Sequence, residues 1–166
     1  LERHHLDDFI SCYNSGNLAE RKEYTDSNNI GLVPLYVTFD GEKYYKEQID
    51  ITDDEFYRQM IEEGSYPKSS LPTIQDFIDA FMPSVTAGVP IICICISTLF
   101  SGSYNSATNA RDQILEDYPD AKITIFNSMQ NSSSMALFVH EAERMSKDNV
   151  DYDDAVRVLT RMTDLG

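Results

Sequence analysis

The chain contains no tryptophan and few cysteines or basic residues. Its 166 residues include three Cys and 13 Lys and Arg against 28 Asp and Glu, which gives a formal net charge of -15. This excess of negative charge repels phosphate backbones and anionic membrane surfaces, and it argues against electrostatic binding to nucleic acid or to a lipid surface. Binding of one small anion remains compatible with the negative net charge, because local dipoles can hold a single carboxylate.

Two of the three cysteines alternate in one apolar run, Pro90–Ile96. On a strand, Cys93 and Cys95 point the same way and cannot form an ordinary disulfide with each other. The histidines and cysteines are not at metal-ligand spacing, so no metal site is expected. We expect a reduced, cytoplasmic setting. The sequence has neither a signal-peptide pattern nor an apolar run long enough for stable membrane insertion.

Nucleotide-binding and hydrolase motifs are also missing. The sequence contains no P-loop, no Gly-x-Gly-x-x-Gly fingerprint and no Gly-x-Ser-x-Gly nucleophile elbow. His140 falls inside a predicted helix, where it has a structural or surface role, and no base is placed for any serine. We therefore expect no catalytic residue, no cofactor and no enzymatic activity, with a serine hydrolase kept as the third alternative.

The apolar pattern indicates one α/β domain. Hydrophobic residues make up 42% of the chain, enough for a sizeable core. From residue 89 onward strands and helices alternate, which predicts parallel pairing with right-handed crossovers. Strands are expected at 32–39, 42–45, 89–96 and 122–126, with a hairpin turn at Asp40-Gly41. Helices are expected from Thr52 to about Glu63, from Thr73, through 105–115, at 133–145 and, capped by Asp151, at 152–162.

Residues 1–24 differ from the rest of the chain. A helix-like segment around His5–Tyr13 is followed by a turn-like Asn14-Ser-Gly16. We interpret residues 1–24 as an N-terminal extension, part of it a candidate cloning remnant, and residues 25–166 as the α/β domain.

Two loops that follow predicted strands are rich in hydroxyl groups. One runs from Ser97 to Ser106 and the other from Asn127 to Met135. Ligands gather at the carboxyl ends of parallel strands, and hydroxyls beside a helix N-terminus can hold an anion without a nearby base. The apolar members Leu99, Phe100, Met129 and Met135 suit a ligand that is mostly hydrocarbon. The alternatives are ordinary helix caps, solvated loops and, for Ser69-Ser70, a simple linker.

Six segments, taken in order, resemble the DegV family of bacterial proteins. They are Tyr24-Thr-Asp-Ser27, Val33-Pro-Leu-Tyr-Val-Thr-Phe-Asp-Gly41, Ile51-Thr-Asp-Asp-Glu-Phe-Tyr57, Lys68-Ser-Ser-Leu-Pro-Thr73, Ile96-Ser-Thr-Leu-Phe-Ser-Gly-Ser-Tyr-Asn-Ser-Ala107 and Asn127-Ser-Met-Gln-Asn-Ser-Ser-Ser-Met135. The resemblance covers about residues 24–164. It implies the N-terminal domain of a two-domain α/β protein that holds a long-chain fatty acid as its ligand.

The same resemblance implies a partner and a set of contacts. Such proteins present the acyl carboxylate to a fatty acid kinase subunit, which feeds phospholipid synthesis. The carboxylate would be held by serine and threonine hydroxyls, and the implied ligand-binding residues are Ser69, Ser70, Ser97, Thr98, Ser101, Gly102 and Ser27. The family usually has Gln where this chain has Leu71, so one amide side chain is lost there.

Three features depart from the family pattern. The residues before Thr25-Asp-Ser27 are charged where the family has an apolar strand, and the helix expected after this motif has no room before Val33. The family's second domain would follow Gly166. A truncated or divergent domain acting as a non-catalytic protein-interaction module is therefore the alternative, and an isolated half exposing apolar surface would favour a homodimer.

Overall fold

The computed structural model describes residues 8–11, 24–47, 49–130 and 132–164. In chain order the strands are β1 (Asp8–Ser11), β2 (Ile30–Leu32), β3 (Tyr36–Thr38), β4 (Tyr45–Lys46), β5 (Lys68–Ser70), β6 (Ile91–Cys95) and β7 (Ile123–Asn127). The helices are α1 (Asp53–Glu62), α2 (Ile74–Ala87), α3 (Ser103–Asp117), α4 (Ser132–Lys147) and α5 (Tyr152–Asp164).

Four strands form a parallel sheet in the order β2-β1-β6-β7, so the predicted α/β class is confirmed. Strand β6 is buried along its whole length, because helices cover both faces of the sheet. Cys93 and Cys95 point into the cluster formed with α2 and α3, whereas Ile92 and Ile94 point into the cluster formed with α4 and α5. Neither cysteine forms a disulfide, as the shared face predicts, and their Sγ atoms lie 3.8 Å apart.

The prediction of one continuous strand at 32–39 is wrong in one respect, because the segment is divided between two strands, β2 and β3. Residues 33–35 are irregular, and the chain passes from β2 in the parallel sheet to β3 in a separate antiparallel sheet of order β4-β3-β5. Pro34 lacks the N–H that a continuous ladder requires. The hairpin is confirmed, with Tyr36 paired to Lys46, but its return strand lies at Tyr45–Lys46. Asp40 Oδ1 accepts hydrogen bonds from the amides of Glu42 and Lys43 in the turn.

The helical interpretation of the N-terminal segment is also wrong for Asp8–Ser11. These residues form β1, which pairs with β2 on one side and with β6 on the other. They therefore lie in the middle of the sheet and belong to the α/β domain. Of the remaining stretch, only Tyr24 is described, and the predicted turn at Asn14–Gly16 lies outside the described residues.

The predicted helices are confirmed, together with their caps. Thr52 Oγ1 accepts from the amide of Glu55, Thr73 forms a full capping box with Asp76, and Asp151 Oδ1 accepts from the amide of Asp153. Phe77 and Phe81 of α2 are fully buried. Within the described ranges, no helix is both long enough and apolar enough to span a bilayer.

Candidate functional site

The loops after β6 and β7 meet at the carboxyl edge of the parallel sheet. The Ser97 amide donates to the Gln130 carbonyl at 2.9 Å, and Asn127 Nδ2 donates to Thr98 Oγ1 at 3.1 Å. These bonds join the two hydroxyl-rich loops into one surface. Asn127 is within the second hydroxyl-rich loop but not among the predicted contacts, although its place directly after the predicted strand 122–126 is a usable signal; in the structure it is the last residue of β7.

Ser97 and Thr98 differ in accessibility. Ser97 is 1% exposed, and its Oγ accepts a hydrogen bond from the Leu99 amide at 3.3 Å. Thr98 is exposed, and its Oγ1 accepts from Asn127. A hydroxyl that accepts one hydrogen bond still has its own proton to donate, so both can donate to an anion.

The first turn of α3 begins at Gly102 and is organised by serines. Ser101 Oγ lies 2.7 Å from Ser103 Oγ and accepts from the Ser103 amide at 3.2 Å. The Ser101 hydroxyl therefore satisfies the Ser103 amide, one of the N-terminal amides that have no acceptor within the helix. Gly102 has φ -81, so it is not strained, but a Cβ placed there would lie 3.2 Å from Leu71 Cδ2.

That close approach brings the serines of β5 to the neighbourhood of the loop. In the ladder with β3, Ser70 is paired with Tyr36 and Ser69 with Val37, so the two serine side chains point to opposite faces. Side chains alternate along an extended chain, which puts Leu71 on the Ser69 side. The contact between Leu71 and Gly102 therefore favours Ser69 over Ser70 as the serine that faces the loop.

Ser27 lies elsewhere. It ends a helical turn at 24–27, just before β2, and so lies at the amino edge of the parallel sheet. Lys147, at the end of α4, donates to Asn28 Oδ1 at 2.8 Å at this same edge. The Thr-Asp-Ser string precedes β2 and does not follow the opening strand, so the geometry separates Ser27 from the loops at the carboxyl edge. The first described strand of the sheet is β1, which lies well before Thr25 in the chain.

An ion pair close to β5 was not expected from the sequence. Lys46 Nζ lies 2.7 Å from Asp76 Oδ1, and the Tyr36 hydroxyl donates to the same carboxylate at 3.0 Å. Partial burial of Asp76 opposes its ionisation, but hydrogen bonds from Lys46, Thr73 and Tyr36 outweigh burial and lower its pKa to about 2. The sequence spacing of Thr73 and Asp76 is a usable signal for a capping box. No sequence pattern indicates that Tyr36 and Lys46 are paired across two strands.

Apolar side chains flank the hydroxyl groups. Leu99 is 84% exposed, Phe100 68% and Met129 53%. Met135, also expected at a ligand, is instead fully buried in the core with α5. His140 Nδ1 lies 2.7 Å from the Tyr24 hydroxyl, far along α4. Among the residues that the structure describes, no cluster of three or more His, Cys, Asp or Glu could hold a metal ion.

Comparison with known proteins gives consistent matches. A family model described as "Uncharacterised protein, DegV family" matches residues 18–164. A DegV domain-containing protein of Clostridium acetobutylicum is 38% identical over 143 residues, which are 86% of this chain and 47% of that protein. The chain thus spans about half the length of the curated relatives it matches.

Solved structures agree with this match. A stearic acid-binding protein from Eubacterium ventriosum is 41% identical, with a TM-score of 0.81 over 93% of this chain and 52% of that one. The fatty acid kinase B3 protein of Streptococcus pneumoniae, loaded with linoleic acid, shares the fold with a TM-score of 0.75 at 20% identity, over 95% of this chain and 54% of that one. This chain belongs to the DegV family.

Proposed function

We propose that this chain is the part of a fatty-acid carrier that holds the ligand's carboxylate. Ser69 from β5 and Ser97, Thr98 and Ser101 from the loop after β6 supply the hydroxyl groups. Gly102 shapes the same corner, and Ser70 and Ser27 are weaker candidates because they point or lie away from it. Leu99, Phe100 and Met129 accept the first part of the hydrocarbon chain.

One observation carries the proposal. The Eubacterium ventriosum protein, named for binding stearic acid, matches 93% of this chain at 41% identity. The corner where Leu71 meets Gly102 is compatible with that ligand, since it combines hydroxyl donors with exposed apolar side chains. Hydroxyl donors also suit an acidic protein, because they hold a carboxylate without a neighbouring Lys or Arg.

The carrier would deliver its ligand to a fatty acid kinase subunit and would do no chemistry itself. The support for this step is the family resemblance and the name of the pneumococcal neighbour. We place the protein in the cytoplasm, in keeping with the two cysteines of β6, which form no disulfide. Incubation with stearate, ATP and the kinase should yield an acyl phosphate that hydroxylamine traps, whereas the carrier alone should yield none. A fluorophosphonate probe should leave the serines unlabelled.

The direct test of binding is native mass spectrometry of the chain after incubation with stearate. We expect a mass increase of one stearate, and we expect Ser69→Ala combined with Ser97→Ala to weaken binding by about 1.5–3 kcal/mol per lost hydrogen bond to the charged group. A matched control removes two exposed hydroxyls outside the site, Thr86→Ala with Thr160→Ala, whose groups bond to their own helices. A chain that binds no stearate refutes the proposal, whereas equal affinity in both double variants refutes only the residue assignment.

A second candidate function is a non-catalytic protein-interaction module. The exposure of Leu99 and Phe100 on one loop favours it, since adjacent exposed apolar residues also mark protein contacts. Light scattering coupled to size exclusion distinguishes the two functions. A homodimer that Phe100→Ser dissociates, in a chain without stearate uptake, would support the module.

A further inference from the structure

We propose that Asp76 is a positioning residue for the candidate carboxylate site, acting through a closed ring of contacts that fixes the Ser69–Thr73 segment. The inference rests on the proposed function and assigns part of the structure behind it. Asp76 would touch no ligand. It would determine where the Ser69 hydroxyl lies relative to the loop at Gly102.

The ring starts and ends at the Asp76 carboxylate. Tyr36 of β3 is paired with Ser70 of β5. The buried Pro72 lies two residues after Ser70 in the chain. The next residue, Thr73, donates its amide and its hydroxyl to Asp76 Oδ2 at 2.8 and 2.6 Å. The Tyr36 hydroxyl donates to both oxygens of the same carboxylate at 3.0 Å, which closes the ring.

Lys46 connects β4, the third strand of the smaller sheet, to the same ring. It is paired with Tyr36 across β3 and β4, and its Nζ lies 2.7 Å from Asp76 Oδ1. The Asp76 side chain is only 9% exposed, so these donors replace most of its water. Asp76 therefore connects β3, β4 and the residue that caps α2, and β5 is tied to the same group through its ladder with β3.

The Ser69–Leu71 segment has little else to hold it. Strand β5 is three residues long and exposed throughout, and Leu71 is 43% exposed. Its described attachments are the ladder to β3, the ring and the approach of Leu71 to Gly102. Without the carboxylate, the ladder and the chain connection to α2 would remain, but the hydrogen bonds that join Tyr36 and Thr73 through Asp76 would be lost. The Ser69 hydroxyl would then no longer have one fixed place.

A plain structural role for Asp76, as a helix cap, predicts a different result in a binding experiment. Removing a cap lowers stability wherever the cap sits, whereas removing a positioning residue changes affinity only while the group that it positions is present. Double-mutant cycles separate these cases, because residues that act through one another are not additive. The chain also offers a matched cap away from the site: Asp151 accepts from the Asp153 amide at 2.9 Å at the start of α5.

The experiment is a stearate titration of the 166-residue chain, with thermal unfolding of each ligand-free variant measured in parallel. Asp76→Ala is expected to weaken stearate binding about tenfold, the equivalent of one hydrogen bond to a charged group. In a Ser69→Ala background the same substitution should change affinity by less than about twofold. Asp151→Ala should lower the unfolding temperature and leave affinity unchanged in both backgrounds. If Asp76→Ala does not fold, Asp76→Asn keeps the shape and should show the same pattern at a smaller size.

Several outcomes would overturn the inference. Unchanged affinity in the Asp76 variant would do so, as would an equal loss with and without Ser69, or an equal loss in Asp151→Ala. If the wild-type chain binds no stearate, the proposed function fails and this inference fails with it. If the wild type binds and the Asp76 variants bind equally well, only the inference fails.

Discussion

The two sheets of this molecule are held together by different forces. The parallel sheet is built around β6, whose five residues are at most 1% exposed, and it is stabilised by apolar burial on both faces. The antiparallel sheet has strands of two or three residues, and a polar cluster at Asp76 connects it to α2. Apolar burial has no preferred direction, whereas hydrogen bonds require defined distances and angles between their atoms.

This difference explains where the candidate site lies. It lies where a loop of the parallel sheet meets the end of β5 in the smaller sheet, at the approach of Leu71 to Gly102. Substitutions in the parallel sheet should therefore alter stability most, while substitutions in the antiparallel sheet should alter the geometry of the site more than overall stability.

The largest expected effect is on the parallel sheet. Ile94→Ala in β6 removes a side chain that is 1% exposed and leaves a cavity, so it should lower the free energy of unfolding by about 2–5 kcal/mol. Chemical denaturation measures this. Leu137→Ala, at a position 64% exposed on α4, is the control and should change stability by less than about 0.5 kcal/mol. Equal effects would contradict the assigned core.

The acid stability of the smaller sheet should depend on Asp76. Its folded-state pKa is about 2, below the ordinary value of 3.8, so its contribution is complete above pH 4 and is lost as the pH falls toward 2. The stability difference between wild type and Asp76→Asn should be about 1–2 kcal/mol at pH 6, below the full value of the shift because Lys46 is a third exposed. It should shrink toward pH 2, and a difference independent of pH would contradict the ion pair.

The two threonine caps provide a smaller test. Thr73→Ala removes a capping box connected to Asp76, whereas Thr52→Ala removes one hydrogen bond of 3.3 Å at the start of α1. We expect losses of about 1–2 kcal/mol and about 0.5–1 kcal/mol in unfolding free energy, respectively. Thermal unfolding of both variants gives the ranking, and the reverse order would contradict a special role for the α2 cap.

The smallest effect concerns the contact between the two regions. Gly102→Ala brings a Cβ to 3.2 Å from Leu71 Cδ2, and the half-exposed Leu71 can move aside. The cost in stability should be below about 1 kcal/mol. Stearate affinity is the more informative readout, and Leu71→Ala should restore any loss. A loss that Leu71→Ala does not relieve would show that the two side chains do not meet.

The parallel sheet was largely predictable from sequence, and the smaller one was not. The continuous apolar run around Cys93 and the caps at Thr73 and Asp151 are local signals, and the structure confirms them. Strand β1 was misjudged because its four residues are too few for a periodic pattern to distinguish strand from helix. Ser27 lies before β2, at the edge of the parallel sheet opposite the hydroxyl-rich loops, and no local pattern indicates that position.

The site was predictable only in part. The loop from Ser97 to Gly102 can be found because it follows a buried strand, and its residues do lie together. The opposite orientation of Ser69 and Ser70 depends on the register with β3, which is a long-range pairing that no local pattern encodes. The Asp76 cluster likewise needs three separate segments to be brought together by the fold.

The most direct test of this account compares Ser69→Ala with Ser70→Ala in stearate binding by isothermal titration. The two residues are neighbours in one exposed strand, so the substitutions match in chemistry and in cost to stability. The account predicts about tenfold or greater weakening for Ser69→Ala, as expected for one hydrogen bond lost to a charged group, and wild-type affinity for Ser70→Ala. Wild-type affinity in Ser69→Ala, or a loss confined to Ser70→Ala, would contradict it.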